Sequence, residues 1–242
     1  HPDIWPNAWY VASQVKPLVD VKAAGLNHFT WILELHDRRT GEDLYPAFRQ
    51  AFMDLSPDFE PLTRAVFQAT GLCPVPGDSH LAEYLPWCHD PQTRPWEKYN
   101  FHLYDWERAG VEREKGWRTI EAMVQGAEPV DQLKEAEGDG ALEIVEGLLG
   151  DAAVYRPAVN IPNQGYIPNL PEGAIVEIPA VVGTWGIQGL NVGPLPELVA
   201  ELCRREIAVA GLAAEAGVPG HREPALHALF LDPCITDLDT AR

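Results

Sequence analysis

Val21-Lys22-Ala23-Ala24-Gly25-Leu26-Asn27-His28-Phe29-Thr30-Trp31-Ile32-Leu33-Glu34-Leu35 is the stretch on which the reading of this 242-residue chain turns. Phe29, Thr30, Trp31 and Ile32 are aromatic or β-branched and favour a strand from Phe29 to Leu35, with a second β-rich run from Val21 to Ala24. Gly25-Leu26-Asn27-His28 separates the two runs, so a carboxamide and an imidazole stand where one strand hands over to the next. A histidine there can offer a neutral imidazole to a metal, and the carboxamide beside it can orient a sugar hydroxyl or a carbonyl. A hydrogen-bonded core histidine is the plain alternative.

Outward from this stretch, Leu44, Phe48, Phe52 and Leu55 recur at helical spacing, and Pro61 to Ala69 reads as a helix stopped by Gly71. Phe101 to Val124 predicts a long helix bent or interrupted near Gly110 and Gly116. Val130 to Leu149 predicts one or two amphipathic helices around Gly138-Asp139-Gly140. The texture then changes to strand-like runs, Val154–Asn160, Ala174–Val182 and Ile187–Val192, joined by Asn-, Pro- and Gly-rich turns. Glu197 to Gly217 is the clearest helix, with Leu198, Leu202, Val209 and Leu212 as its buried stripe, and Glu223 to Leu231 closes the chain. Strands scattered among long helices predict one α+β unit over residues 1–242, with a mixed or antiparallel sheet.

Composition narrows the class. Thirty-six acidic side chains against 18 basic leave a net charge of −18, which argues against a nucleic-acid partner. With 46% apolar residues the chain can bury a real core. No run approaches the roughly 18 apolar residues that span a bilayer. His1-Pro2-Asp3-Ile4-Trp5-Pro6 has neither a basic nor an apolar signal-peptide region and no initiator Met, and reads as the start of a processed, cut or excised piece. Cys73, Cys88, Cys203 and Cys234 form no C-x-x-C pair and fit reduced thiols in a cytoplasmic protein.

Polar chemistry concentrates between Pro74 and Asp90, where Pro76, Gly77 and Pro86 forbid long regular elements. There Asp78, His80, Glu83 and Tyr84 offer two carboxylates, an imidazole and a phenol within seven positions. A tyrosine can act as a base when a neighbouring cation lowers its pKa. Asn160-Ile161-Pro162-Asn163-Gln164-Gly165-Tyr166-Ile167-Pro168-Asn169 is rich in carboxamides, which suit sugar hydroxyls, although such clusters are also plain turns. His36-Asp37 reads as a structural pair before a turn. His102, His221 and His227 read as helical residues without partners at metal spacing. Gly183-Thr184-Trp185-Gly186-Ile187-Gln188-Gly189 has the wrong spacing for a nucleotide loop and reads as a strand connection, and no G-x-G-x-x-G or Walker sequence is present. No serine stands in a nucleophile elbow.

These segments resemble glycoside hydrolase family 4, the NAD- and divalent-metal-dependent glycosidases, in its C-terminal portion. The resemblance rests on Ala24 to Trp31, Gly41-Glu42-Asp43-Leu44-Tyr45-Pro46 and Asp78 to Trp87. It continues through Val159 to Asn163, Ile167 to Pro171, Ala174 to Pro179, Gly193-Pro194-Leu195-Pro196 and Ala228 to Pro233. The family is an exception to the two-carboxylate rule of glycoside hydrolysis.

The resemblance implies a lactate-dehydrogenase-like C-terminal domain that normally follows a Rossmann domain, itself absent from this chain, and a homodimer or homotetramer. It implies hydrolysis of O-glycosidic bonds, α-glycosides first, with NAD and Mn2+. In that chemistry the sugar C3 hydroxyl is oxidised, a base removes the acidified C2 proton while a metal stabilises the enolate, the C1 group leaves, water adds and hydride returns.

Carried over, His28 matches the metal-binding histidine and Asn27 would contact substrate, as would Asn160 and Asn163. Tyr84 is the favoured base with His80 as the other candidate. The nucleotide fingerprint is missing, as is the Cys-containing segment that supplies a second metal ligand. The isolated piece is therefore not expected to catalyse. A non-catalytic sugar-binding or assembly module is the second reading, and a 2-hydroxy acid dehydrogenase of the lactate and malate group the third. The acidic balance argues faintly against phosphorylated or uronic sugars, subject to override by a local basic pocket.

Overall fold

The computed structural model describes residues 19–131, 140–150, 153–218, 221–237 and 239. The reading of His1 to Pro6, and of Gly138 and Asp139, lies outside them. In chain order the elements are β1 (Val19–Leu26), β2 (Phe29–Asp37), α1 (Tyr45–Met53), α2 (Pro61–Thr70), β3 (Cys73–Pro74), α3 (Asp78–Glu83) and α4 (Pro95–Lys98). They continue with α5 (Trp106–Val124), α6 (Ala141–Leu149), β4 (Val154–Pro162), β5 (Ile175–Gly183), β6 (Gly186–Gly189), α7 (Glu197–Ala216) and α8 (Arg222–Leu231).

The strands form one sheet in the order β3-β2-β1-β5-β4, with β6 also on β5. Of the two arrangements the sequence left open, the antiparallel one is observed in every pairing among the described residues. β1 and β2 extend the two predicted runs, so only Asn27 and His28 remain as the turn between Leu26 and Phe29. The glycine run 183–189 is a hairpin between β5 and β6, as its plain reading has it.

Alternation along the strands sorts side chains between the two faces of the sheet. Ala24, Trp31, Val176 and Ile178 point to the main core, where Leu81 and Leu85 from around α3 and Val199, Ala200 and Cys203 from α7 meet them. Burial of each large side chain there contributes about 1.5–3 kcal/mol. A second, aromatic cluster gathers Phe52 and Phe67 with Ile32 and Cys73 under α1 and α2.

Three expectations need correction. The fully buried residues of α7 are Val199, Ala200 and Cys203, one position round from the predicted stripe, of which Leu202 still packs on the core while Leu198 is 48% exposed. The Pro74–Asp90 segment holds no long helix, as read, and its prolines bracket a six-residue one, α3. α5 begins at Trp106, where Asp105 accepts from the Arg108 backbone N–H, and runs unbroken through Gly110 and Gly116. His102 lies before that helix and not on it, while His221 caps α8 and His227 is exposed on it. His36-Asp37 is structural as expected, Asp37 accepting from the Arg39 and Thr40 N–H groups.

α5 buries little: Trp106, Val111, Trp117 and Val124 are exposed and Met123 is its one buried residue. All four cysteines are free thiols, with Cys234 the exposed one. No helix among the described residues is long and apolar enough to cross a membrane.

Candidate functional site

One row of paired residues builds the floor of the site. Asn160 on β4 faces Glu177 on β5, Glu177 faces Gly25 on β1, and Gly25 faces Thr30 on β2. Residues directly opposite one another in a sheet project to the same side, here the side away from Trp31 and Ile178. Asn160, Glu177 and Thr30 accordingly line a cleft of about 780 Å³ with Asn27, His28, His80, Glu143 and Arg156. Gly25 is the bare position in this row. A Cβ there would run into the Phe29 carbonyl oxygen, so only glycine lets the hairpin close this tightly.

His28 occupies the second position of the two-residue turn with φ 59°, in the left-handed region that non-glycine residues avoid. Holding a histidine there costs about 1–3 kcal/mol, which the paired strands on either side must over-determine, and such strain gathers at functional positions. The ring stacks on His80 with centroids 4.7 Å apart and planes 21° apart. Asn27, the other turn residue, takes a hydrogen bond on its carbonyl from the Tyr84 hydroxyl at 3.2 Å.

α3 carries His80 and is too short to hold itself. Two acids fix it to α2: the Asp78 carboxylate accepts from the Leu62 and Thr63 N–H groups at 2.8 and 2.7 Å, and Glu60 accepts from the Asp78 N–H at 2.6 Å. Each helix start thereby satisfies the open N–H groups of the other. Burial first, and the neighbouring Asp78 second, push the Glu60 carboxyl up to about 8. The His80 pKa is raised by its contact with Glu83, Nδ1 to Oε2 3.4 Å, against the opposing effect of burial.

Tyr84 ends α3 and stacks on Phe29 at 4.5 Å. Burial, then the charges of Glu83, Glu206 and Glu177, push its phenol up to about 12. That direction is opposite to the lowering that a base requires. Within this chain Tyr84 donates to the hairpin tip, and nothing among the described residues supplies the cation that would draw its proton off. Glu177 also titrates above the usual carboxylate range because it is buried, partly offset by the Asn160 carboxamide at 3.4 Å.

The structure therefore brings Asn27, His28, His80 and Asn160 into one cleft and sets Tyr84 behind the tip. Asn163 does not join them. It is 1% exposed, its amide nitrogen donates towards the Ile167, Leu170 and Pro171 carbonyls, and its oxygen accepts from the Ile167 N–H. Those contacts close the 163–174 loop and leave no atom free for a sugar, which removes Asn163 from the substrate-binding set. Glu177 and Arg156 are cleft residues that the sequence did not single out. The Asn160–Glu177 pairing depends on strand register, but a proline inside the β4 run, Pro157, was a visible signal of an irregularity beside Arg156.

The metal test is short. Among the described residues no three His, Cys, Asp or Glu side chains come together as ligands. His28 and His80 offer imidazoles, and the rest of a coordination sphere is not supplied by this chain's described residues.

The site is thus an antiparallel α+β domain's strained, histidine-tipped hairpin set over a polar cleft. Residues 23–235 match the Family 4 glycosyl hydrolase C-terminal domain, and the chain belongs to that family. It is 30% identical over 233 residues to an α-galacturonidase of Bacillus subtilis (strain 168), covering 90% of this chain and 50% of that protein. It is 29% identical to an α-galactosidase of Rhizobium meliloti (strain 1021), covering 90% and 46%. The solved structure of Bacillus subtilis lplD, described as a glucosidase, superposes with a TM-score of 0.76 at 29% identity, covering 97% of this chain and 57% of that one. The 6-phospho-β-glucosidase of Thermotoga maritima, solved with manganese, NAD+ and glucose-6-phosphate, shares the fold with a TM-score of 0.70 at 23% identity, over 97% and 55%. The chain spans about half the length of the curated relatives it matches.

Proposed function

We propose that this chain is the substrate-side catalytic and oligomerisation domain of a glycosidase that hydrolyses α-glycosides with the help of NAD and Mn2+. The observation that carries the reading is the hairpin tip: an imidazole held at φ 59° at the mouth of a carboxamide- and carboxylate-lined cleft, stacked on a second imidazole. A core histidine would be buried, whereas His28 is exposed.

Within the cleft, Asn27 and Asn160 would bind sugar hydroxyls, His28 would give one imidazole to the metal, and Tyr84 or His80 would hold the proton taken from the sugar. The metal would supply electrostatic stabilisation of charge developing on oxygen. Its remaining ligands, the nucleotide and the cation that lowers Tyr84 would come from outside the described residues. The raised Tyr84 pKa supports a chain that is inactive on its own. The exposed apolar face of α5 supports an assembled protein, and a cytoplasmic homodimer or homotetramer is the arrangement we favour.

The test is His28→Ala in the complete natural polypeptide, assayed with NAD and manganese on a panel of α-glycosides. Metal-dependent turnover should fall by roughly 100-fold, the upper end of what losing a ligand's support costs, and the thermal midpoint should not rise, because alanine keeps the Cβ that strains φ 59°. Unaltered turnover at saturating manganese would sink the assignment.

A further inference from the structure

Arg156 stands at a fault in the sheet. Arg156 pairs with Ala180 and Val159 with Ile178, so three steps along β4 match two along β5, and one extra residue bulges out. Bulges bend a strand and re-aim the side chains beside them, and Pro157, which has no N–H to give the ladder, occupies this one. The result is that Arg156, Ala158 and Asn160 all line the cleft that holds His28.

Among the described residues no acid pairs with the guanidinium. Its Nε is buried without a hydrogen-bond partner, and no ion pair or hydrogen bond involves Arg156 among the described residues. Other arginines of the chain are engaged: Arg38 with Asp20, Arg64 with the Met53, Leu55 and Ser56 carbonyls, and Arg204 with Glu197 and the Asn169 carbonyl. In a protein with twice as many acids as bases, an unpaired and partly buried arginine is costly to keep. Room has also been made for it. The guanidinium packs on Gly140, where any Cβ would collide with Nη2, and Gly140 takes φ 76° as the residue that starts α6.

We propose that Arg156 reads an anionic substituent on the sugar, a carboxylate, and so selects uronides as the substrate class. The inference rests on the cleft being the glycoside site. A planar guanidinium matches a carboxylate fork to fork, two hydrogen bonds for one charge on each side. A phosphate shares the chemistry but brings nearly two charges, and Glu143 and Glu177 on the same walls would repel the excess. The local cation thus outweighs the acidic balance of the whole chain, which on its own spoke against charged sugars.

The experiment is calorimetric titration of the complete natural polypeptide, with NAD and manganese present, using methyl α-galacturonide, methyl α-galactoside and galactose 6-phosphate. The uronide should bind roughly ten or more times tighter than the neutral glycoside, in line with a charge-assisted bidentate contact. Arg156→Gln should bring the uronide down to the affinity of the neutral glycoside, and Arg156→Lys, which keeps the charge and loses the fork, should retain only part of the preference. The lysine variant keeps the test open if the glutamine variant fails to fold. Equal binding of uronide and neutral glycoside, unchanged in both variants, overturns the role of Arg156 and leaves the glycoside reading standing. Tighter binding of the phosphate overturns the carboxylate assignment. No binding of any sugar overturns the cleft as a glycoside site and this inference with it.

Discussion

Replacing Asn163 by alanine removes one acceptor and two donor hydrogens from a position 1% exposed, takes the side-chain partner from the Leu170 carbonyl and the Ile167 N–H, and leaves the Ile167 and Pro171 carbonyls with only their backbone donors, Leu170 and Ala174. A net contribution of about 0.5–1.5 kcal/mol per bond, over three bonds that one amide can make at full strength, gives a loss of about 3 kcal/mol. Relaxation of the loop towards water lowers the figure and the small cavity raises it. At about 2–4 °C per kcal/mol for a chain of this size, the thermal midpoint should fall by roughly 6–12 °C. Differential scanning calorimetry with urea titration measures it. Asn163→Asp, equal in shape but lacking the donors, should be at least as damaging. A midpoint within 2 °C of the parent, as expected of the surface changes of about 0.5 kcal/mol, together with weakened sugar binding, would refute the strut and restore Asn163 as a substrate residue.

Two further outcomes follow from the same contacts. Glu60 holds its proton to about 8 in the folded chain, above the range of a free carboxyl, so its contribution is complete at acid pH and is lost as pH rises towards and through 8. Stability from pH 5 to 9 should therefore decline by a few kcal/mol in the parent and stay flatter in Glu60→Gln, which keeps a neutral acceptor for the Asp78 N–H; parallel curves in urea titrations at both ends would contradict this. Tyr84→Phe removes the 3.2 Å bond to the Asn27 carbonyl and should cost about 1 kcal/mol in stability, while slowing exchange of the sugar C2 proton with solvent deuterium in the complete enzyme. An unchanged exchange rate would leave His80 as the base.

Most of the fold was legible because its signals were local. Phe29 to Ile32 announced β2, Pro61 and Gly71 bracketed α2, and Glu197 to Ala216 showed its period clearly. The face of α7 was misread because helical periodicity identifies a large-residue stripe, whereas the sheet selected Val199, Ala200 and Cys203. The site was half legible. Asn27, His28 and His80 lie in recognisable sequence neighbourhoods, but what Asn160 and Asn163 do is decided by register: two positions of one motif, three residues apart, face a cleft in one case and a closed loop in the other. Glu177 reads as one acid in an apolar strand, and only pairing across three strands places it in the cleft with His28. The proton affinities of Glu60 and Tyr84 depend on burial that no spacing encodes.

The extra residue in β4 also divides that strand into two phases. From Val159 onward its side chains alternate in step with β5, and before Arg156 they alternate in the opposite sense for the same count along the chain. Loss of either Pro157 or Ala158 would let the ladder run evenly from Arg156 to Val159 and take away the kink that re-aims Arg156, while the pairings on either side stay as they are. Length at positions 157–158, more than identity, is therefore the quantity to compare when related chains are aligned.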